Sequence, residues 1–119
     1  MGGGRRNVRM RAGYVRGRHF TEYVDTVKDL KRTSRLEKLE ELLVELIDAT
    51  EAEDRKRRWG VAPWYYEEAA KLYRKLKNHG REVAILERFA RQRHAPGVSP
   101  ARLLQRLEKA RKLLVESQE

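Results

Sequence analysis

Apolar residues recur every three or four positions along most of the chain, which is the spacing of one face of an amphipathic helix. The first stripe is predicted to be capped by Thr21 and to end near Thr33. Its apolar members are Phe20, Tyr23, Val24, Val27 and Leu30. The pattern therefore predicts a first helix that starts close to residue 20.

A second helix is predicted to begin at Ser34. Ser34 and Glu37 form an S-x-x-E capping box, in which each side chain accepts a hydrogen bond from the other residue's backbone N–H. The four basic residues 55–58 close this helix, at the end where the helix dipole favours cations. The apolar stripe between these ends consists of Leu36, Leu39, Leu42, Leu43, Leu46 and Ile47.

Proline and glycine mark the next boundaries. Pro63 predicts the start of a third helix, since proline suits the first helical position, and Gly80 is predicted to end it in the left-handed conformation. A fourth helix extends to about Arg93, and Ser99 is predicted to cap a fifth. Because no segment alternates apolar and polar residues as a half-buried strand does, the pattern predicts an all-α protein.

The predicted helices group into two hairpins and a C-terminal capping helix. The hairpins cover about residues 20–57 and 63–93, and the capping helix covers about residues 100–116. One helical domain over residues 19–117 fits the common domain size of about 100–150 residues. Since 39% of residues are hydrophobic and 39% are charged, the fold must expose much surface for each core residue, as elongated helical assemblies do.

Residues 59–76, WGVAPWYYEEAAKLYRKL, contain both tryptophans and three of the five tyrosines. Large rings opposite small alanines can interdigitate at high packing density, so the stretch predicts a helix–helix core. The residues assigned to this core are Tyr66, Ala69, Ala70, Tyr73, Leu86 and Phe89. Trp59 and Trp64 are expected to brace the turn between the hairpins.

Two other interpretations of the aromatic stretch remain open. Exposed rings interleaved with cations would form a stacking platform for nucleic acid, and Arg57, Arg58, Trp59 and Trp64 could supply it, joined by Tyr65. A cage for a small ligand is the other alternative.

Two sets of positions resemble the tetratricopeptide (TPR) pattern of large, turn and small residues. The first set is Leu30, Ser34, Leu36, Leu39 and Leu43. The second set, displaced by 43 residues, is Tyr73, Lys77, His79, Glu82 and Leu86. The displacement exceeds the about 34 residues of a standard TPR, and Leu39 and Glu82 take a slot where TPRs usually hold alanine.

The chain thus resembles two degenerate TPR-like hairpins, and PWYYEEAAKLYRKL…EVAILERF is similar to segments of uncharacterised TPR-like proteins of high-GC bacteria and their phages. The resemblance implies a scaffold or adaptor whose groove takes a protein or peptide partner. The candidate groove residues are Tyr23, Lys31, Tyr65 and Lys71. Two units are few for a stable stack, so the fifth helix acts as a cap or the protein forms a homodimer.

Residues 1–18 contain six arginines, five glycines and no acid. Repulsion between like charges and the conformational freedom of glycine predict a disordered arm. Such an arm could follow a phosphate backbone, contact an acidic protein, or only keep the chain soluble. The candidate nucleic-acid contacts are Arg5, Arg6, Arg9, Arg11, Arg16 and Arg18, extended by Arg57 and Arg58.

The sequence offers little for catalysis. It contains no cysteine and only three well-separated histidines, which argues against thiol nucleophiles and helix-borne zinc sites. Ser34 and Ser99 are better explained as helix caps than as nucleophiles, and no phosphate-binding glycine motif occurs. We therefore expect no enzyme, no catalytic or metal residues, and no cofactor.

The expected function is a non-enzymatic, cytoplasmic protein-interaction module. The absence of cysteine fits a reducing compartment, and no apolar run approaches the about 18 residues of a membrane span. The alternative is an accessory nucleic-acid-binding protein that uses the arginine arm on DNA or RNA, consistent with the formal net charge of +10.

Overall fold

Helices dominate the computed structural model, which describes residues 11–118. In chain order the helices are α1 (Val24–Arg32), α2 (Leu36–Arg57), α3 (Pro63–Lys75), α4 (His79–Ala90) and α5 (Ser99–Ser117). Each helix packs against the next one along the chain, and α3 also contacts α5. The predicted all-α architecture, with two helix pairs followed by a fifth helix, is confirmed. None of the helices in this part of the chain combines the length and apolarity that crossing a membrane requires.

A β-hairpin precedes the helices. Strands β1 (Tyr14–Val15) and β2 (Arg18–His19) pair antiparallel. The two loop residues, Arg16 and Gly17, both have positive φ, which matches the right-handed twist of a two-residue hairpin. The Arg16 guanidinium donates to both carboxylate oxygens of Glu45, at 3.1 and 2.6 Å, and so fastens the hairpin to α2.

The hairpin corrects the predicted boundary of the disordered arm. Residues 11–18 are folded, because their backbone pairs in the hairpin and Val15 is buried. Strands of two residues are too short to show the alternation that a periodicity argument detects, so the sequence pattern missed them. Residues 1–10, with Arg5, Arg6 and Arg9, lie outside the described residues.

A single 3₁₀ turn, Phe20–Tyr23, connects the hairpin to α1. The imidazole of His19 caps this turn by accepting from the Thr21 N–H, so His19 has the role predicted for Thr21. The Tyr23 hydroxyl donates to the Val15 carbonyl at 2.5 Å. The Tyr65 hydroxyl of α3 donates to the Phe20 carbonyl. These bonds join the hairpin and the 3₁₀ turn to the helical body.

The turns α1–α2 and α3–α4 have the same backbone geometry. Ser34 and Lys77 are left-handed, with φ of 56° and 57°. The amide after each donates to a carbonyl five residues earlier, Arg35 to Leu30 and Asn78 to Tyr73, as in a Schellman helix end. Ser34 and Lys77 are the two turn residues that the 43-residue displacement places in the same position.

This geometry explains why several predicted caps are wrong. Because Ser34 terminates α1, it cannot cap α2, which begins at Leu36 without a side-chain cap. Gly80 lies within the first turn of α4, and Asn78 caps that helix by accepting from the Arg81 N–H. Ser99 is the first residue of α5 and its side chain makes no cap hydrogen bond. Pro63 opens α3 as predicted.

The core predicted from the aromatic stretch is buried. All six residues assigned to it are at most 7% exposed. The Tyr66 ring lies 5.1 Å from the ring of Phe89 on α4, centroid to centroid, while Ala69 and Ala70 are small enough for a close approach of neighbouring helices. Trp64 is half-buried and packs edge-on against Tyr65.

Acidic side chains pair with basic residues of other elements, and some of these pairs lie between helices. The carboxylates in such pairs are Glu40, Glu45, Asp48, Glu51, Asp54, Glu67, Glu68, Glu82 and Glu87. Glu51 of α2, for example, accepts from the Tyr66 hydroxyl at 2.7 Å and from two nitrogens of Arg88 on α4. These contacts raise the pKa of Arg88.

Glu82 is the buried centre of one such cluster. Its side chain is 0% exposed and lies 2.7 Å from Arg74 of α3 and 3.2 Å from Arg106 of α5. Desolvation, followed by repulsion from Arg74, lowers the pKa of Arg106. Glu82 is therefore the centre of an ion cluster that joins α3, α4 and α5.

Candidate binding surfaces

A cleft opens between the start of α2 and the second half of α3. Its residues are Lys31, Leu36, Leu39, Glu68, Lys71, Leu72 and Lys75, and we call it the lysine cleft. Its volume is about 120 Å³, which is room for one apolar side chain. The leucines come from adjacent helix faces and form an apolar floor, and the lysines form the rim.

The rim of the lysine cleft is positive. Glu68, only 4% exposed, lies 2.6 Å from the Lys31 ammonium and 3.6 Å from that of Lys71. Within residues 11–118, Lys75 has no acidic partner. Three lysines and one glutamate leave two net positive charges around the leucine floor. This combination suits an apolar side chain flanked by carboxylates.

A second concavity lies at the other end of α2, beside the β-hairpin. It is lined by Arg11, Ala12, Tyr14, His19, Glu53, Lys56, Arg57 and Trp59, and we call it the basic groove. Its volume is about 730 Å³. Since α2 has 22 residues, it is about 30 Å long, so the two sites are well separated.

Aromatic rings and guanidinium groups alternate in the basic groove. The Arg11 guanidinium lies 3.9 Å from the centroid of the Tyr14 ring, and that of Arg57 lies 5.1 Å from the Trp59 ring. Trp59 is 67% exposed. The expectation that Trp59 braces the junction between the helix pairs is therefore wrong. The chain turns back to the core only at the next residue, Gly60, which has φ of 97°.

Backbone contacts, rather than the side chain of Trp59, hold the junction between the helix pairs. Val61 N–H donates to the Arg93 carbonyl, and Val61 forms an isolated parallel bridge with His94. A Cβ on Gly60 would lie 2.5 Å from the Ala95 nitrogen, so this close approach requires glycine.

The structure separates the residues predicted for a partner groove. Lys31 and Lys71 meet at the lysine cleft. Tyr23 and Tyr65 do not, since both rings are buried and both hydroxyls are bound to backbone carbonyls. Burial raises the pKa of Tyr65 to about 12. These two tyrosines are core residues and cannot contact a partner.

The arginines predicted to contact nucleic acid also separate. Arg11 and Arg57 line the basic groove, and Arg58 is exposed at the end of α2, where it is left-handed. Arg16 and Arg18 instead pair with Glu45 and Glu22.

Several residues of the two surfaces were not singled out from the sequence. Tyr14 and Lys56 of the basic groove, and Lys75 of the lysine cleft, reach their sites only through tertiary packing. The run of four cations at residues 55–58 was a usable signal for Lys56, but only Arg57 and Arg58 of this run were predicted to contact nucleic acid.

His19, Thr21 and Glu53 form the one hydroxyl–imidazole–carboxylate chain seen within residues 11–118. His19 Nδ1 lies 2.8 Å from Thr21 Oγ1, and Nε2 lies 2.8 Å from Glu53 Oε1. Nδ1 also accepts from the Thr21 N–H, so this chain is a helix cap that fastens the hairpin to α2. In the described part of the chain no three His, Asp or Glu side chains are grouped to hold a metal ion.

No family model matches the chain, and no curated protein or solved structure is significantly similar to it.

Proposed function

We propose that the chain is a non-enzymatic protein-interaction module of the helical-repeat type that binds an acidic segment of a partner protein. The observation that carries the proposal is the lysine cleft, where Lys31, Lys71 and Lys75 surround a floor of leucines. The matching turns at Ser34 and Lys77 support the repeat architecture, and the TPR resemblance assigns such modules to partner binding. The proposal places the protein in the cytoplasm.

The cleft determines the kind of segment that we expect. Its volume accepts one aliphatic or aromatic anchor, and the rim lysines would pair with carboxylates one helical turn on either side of that anchor. An amphipathic helix with a single apolar anchor and flanking Asp or Glu has this arrangement. Because the rim lysines are exposed, each pair adds modest affinity, and the buried anchor supplies the larger share.

Selection from a library of random peptides tests this proposal. Peptides retained by the full chain should be enriched in Asp and Glu around one Leu, Ile or Phe. Peptides recovered on the wild-type chain should bind a Lys71→Glu, Lys75→Glu variant at least about tenfold more weakly, which is about 1.4 kcal/mol.

A variant with the same change of net charge serves as the control. Lys109→Glu, Lys112→Glu alters two exposed lysines of α5 that have no acidic partner among the described residues, and it should keep the wild-type affinity. Retained peptides without acidic enrichment would overturn the proposal. Equal weakening by the two double variants would overturn it as well.

A further inference from the structure

The basic groove has a chemistry that the lysine cleft lacks. An indole that is 67% exposed is unusual for a tryptophan, which is highly buried on average. Arg57 stacks over Trp59 and Arg11 stacks over Tyr14, so each ring is held beside a cation. Rings interleaved with cations along an open groove are the arrangement that proteins use on single-stranded nucleic acid.

The charges of the groove favour a polyanion. Arg11 and Lys56 have no acidic partner within residues 11–118, and both are exposed. The one acid in the groove, Glu53, is engaged by His19 at 2.8 Å and lies 3.8 Å from Arg57. Its carboxylate is thus engaged by the protein's own side chains. Arg11, Lys56 and Arg57 against this single acid leave the rim positive.

The rings favour bases over carboxylates. An acidic peptide would pair with the cations but would leave Trp59 and Tyr14 unused, whereas every nucleobase offers a π face to stack on. In a duplex those faces are covered by neighbouring base pairs, so the rings select an unpaired strand. The groove volume of about 730 Å³ leaves room for more than one nucleotide.

We propose that the basic groove binds single-stranded nucleic acid, with Trp59 and Tyr14 stacking on bases and Arg11, Lys56 and Arg57 pairing with phosphates. This site is distinct from the lysine cleft, and it does not depend on the function proposed for that cleft.

Fluorescence anisotropy of the full chain with labelled oligonucleotides of about 12 nucleotides tests the proposal. The probes are oligo-dT, oligo-U and a duplex of the same length, each at about 50 and about 200 mM salt. The single strands should bind more tightly than the duplex. Contacts to three phosphates predict that the fourfold rise in salt weakens single-strand binding on the order of twentyfold.

Variants at Trp59 isolate the stacking contribution. Trp59→Ala should weaken binding by about tenfold or more, while Trp59→Phe, which keeps a ring, should stay within about threefold of the wild type. Because Trp59 is exposed, both variants should keep the wild-type circular dichroism. In the wild type, oligo-dT should quench tryptophan emission, and most of this quenching should be lost in Trp59→Phe.

A charge-matched pair separates the site from a general effect of net charge. Lys56→Glu removes a groove cation, whereas Lys109→Glu makes the same charge change on α5. Lys56→Glu should weaken binding several-fold more than Lys109→Glu does.

Four results would overturn the proposal: no anisotropy change at the lower salt, a duplex that binds as tightly as the single strands, a Trp59→Ala variant with wild-type affinity, or equal losses in the two lysine variants. Polyglutamate that displaces oligo-dT as effectively as unlabelled oligo-dT does would also overturn it, and would assign the groove to acidic proteins.

Discussion

Glu82 shows how a single residue determines the packing of three helices. Its carboxylate is fully buried and faces two arginines, and a charge in such a site is tolerated only with its partners. A neutral side chain at this position would leave Arg74 and Arg106 facing each other without the Glu82 carboxylate.

We predict that Glu82→Gln lowers the free energy of unfolding by about 3 kcal/mol. Urea denaturation followed by circular dichroism measures this change. Glu108→Gln, at an exposed position of α5, is the control and should stay within about 0.5 kcal/mol of the wild type. A Glu82→Gln variant as stable as this control would show that the cluster does not hold the helices together.

Tyr65 predicts a specific response to alkaline pH. Burial raises its pKa from 10.0 to about 12, so the fold favours the protonated phenol. The stability that this preference contributes is present below about pH 10 and is lost as the pH rises through about 12. Tyrosinate absorbance is followed during an alkaline titration of the wild type and of Tyr65→Phe. The difference between the two curves is the contribution of Tyr65, which should rise near pH 12 together with loss of helicity. A Tyr65 contribution that rises near pH 10 would contradict the burial of this hydroxyl.

Residue-level roles were the least predictable from the sequence. By residue preference, Ser34 was predicted to cap the start of α2 and Gly80 to end α3 in the left-handed conformation. The left-handed residues of the α1–α2 and α3–α4 turns are instead Ser34 and Lys77. The choice depends on which backbone amides close the turn, and side-chain preference contributes only about 1 kcal/mol to it. Tyr23 and Tyr65 were predicted to line a partner groove, but each hydroxyl has a buried carbonyl as its partner.

At the scale of elements, helical periodicity was a reliable guide. The stripes of α2 and α3 place their leucines, alanines and rings in the core. The β-hairpin was missed, because its fold depends on the Arg16–Gly17 turn and on contacts with Glu45 and Glu53 of α2. Such contacts are distant in sequence and have no periodic signature.

Helix α5 provides a test of the capping role, since it packs on α3 and α4 and ends the stack. Leu107 is 4% exposed and Leu104 is 40% exposed. We predict that Leu107→Ala costs about 2–5 kcal/mol of unfolding free energy, while Leu104→Ala costs far less. Thermal or urea unfolding of the two variants measures the difference. Equal losses would mean that the buried face of α5 does not stabilise the body.

At the scale of the whole molecule, the position of the acids explains the character of the surface. Many carboxylates are held between helices by basic partners, as Glu51 and Glu67 are by Arg88 and Arg102. Cations without acidic partners in the described part of the chain remain at the surface, and some of them collect at the two ends of α2. The lysine cleft and the basic groove are therefore two positively charged surfaces of different chemistry.

The sequence shows the excess of positive charge, but it does not show that cations left unpaired in the described residues collect at the lysine cleft and at the basic groove. Which acids are internal depends on how the helices pack. The same holds for the large aromatic residues, since Tyr66 is in the core but Trp59 is exposed. Long-range packing therefore had to be known before either surface could be located.

Chemical-shift mapping by ¹H–¹⁵N correlation spectra tests the central claim, that a helical body presents two separate sites for anionic partners. A glutamate-rich helical peptide with one leucine should shift the amides of Lys31, Leu39 and Lys71, and oligo-dT should shift those of Tyr14, Lys56 and Trp59. Shifts from both ligands at the same residues, or spread evenly over exposed lysines such as Lys109, would contradict the claim.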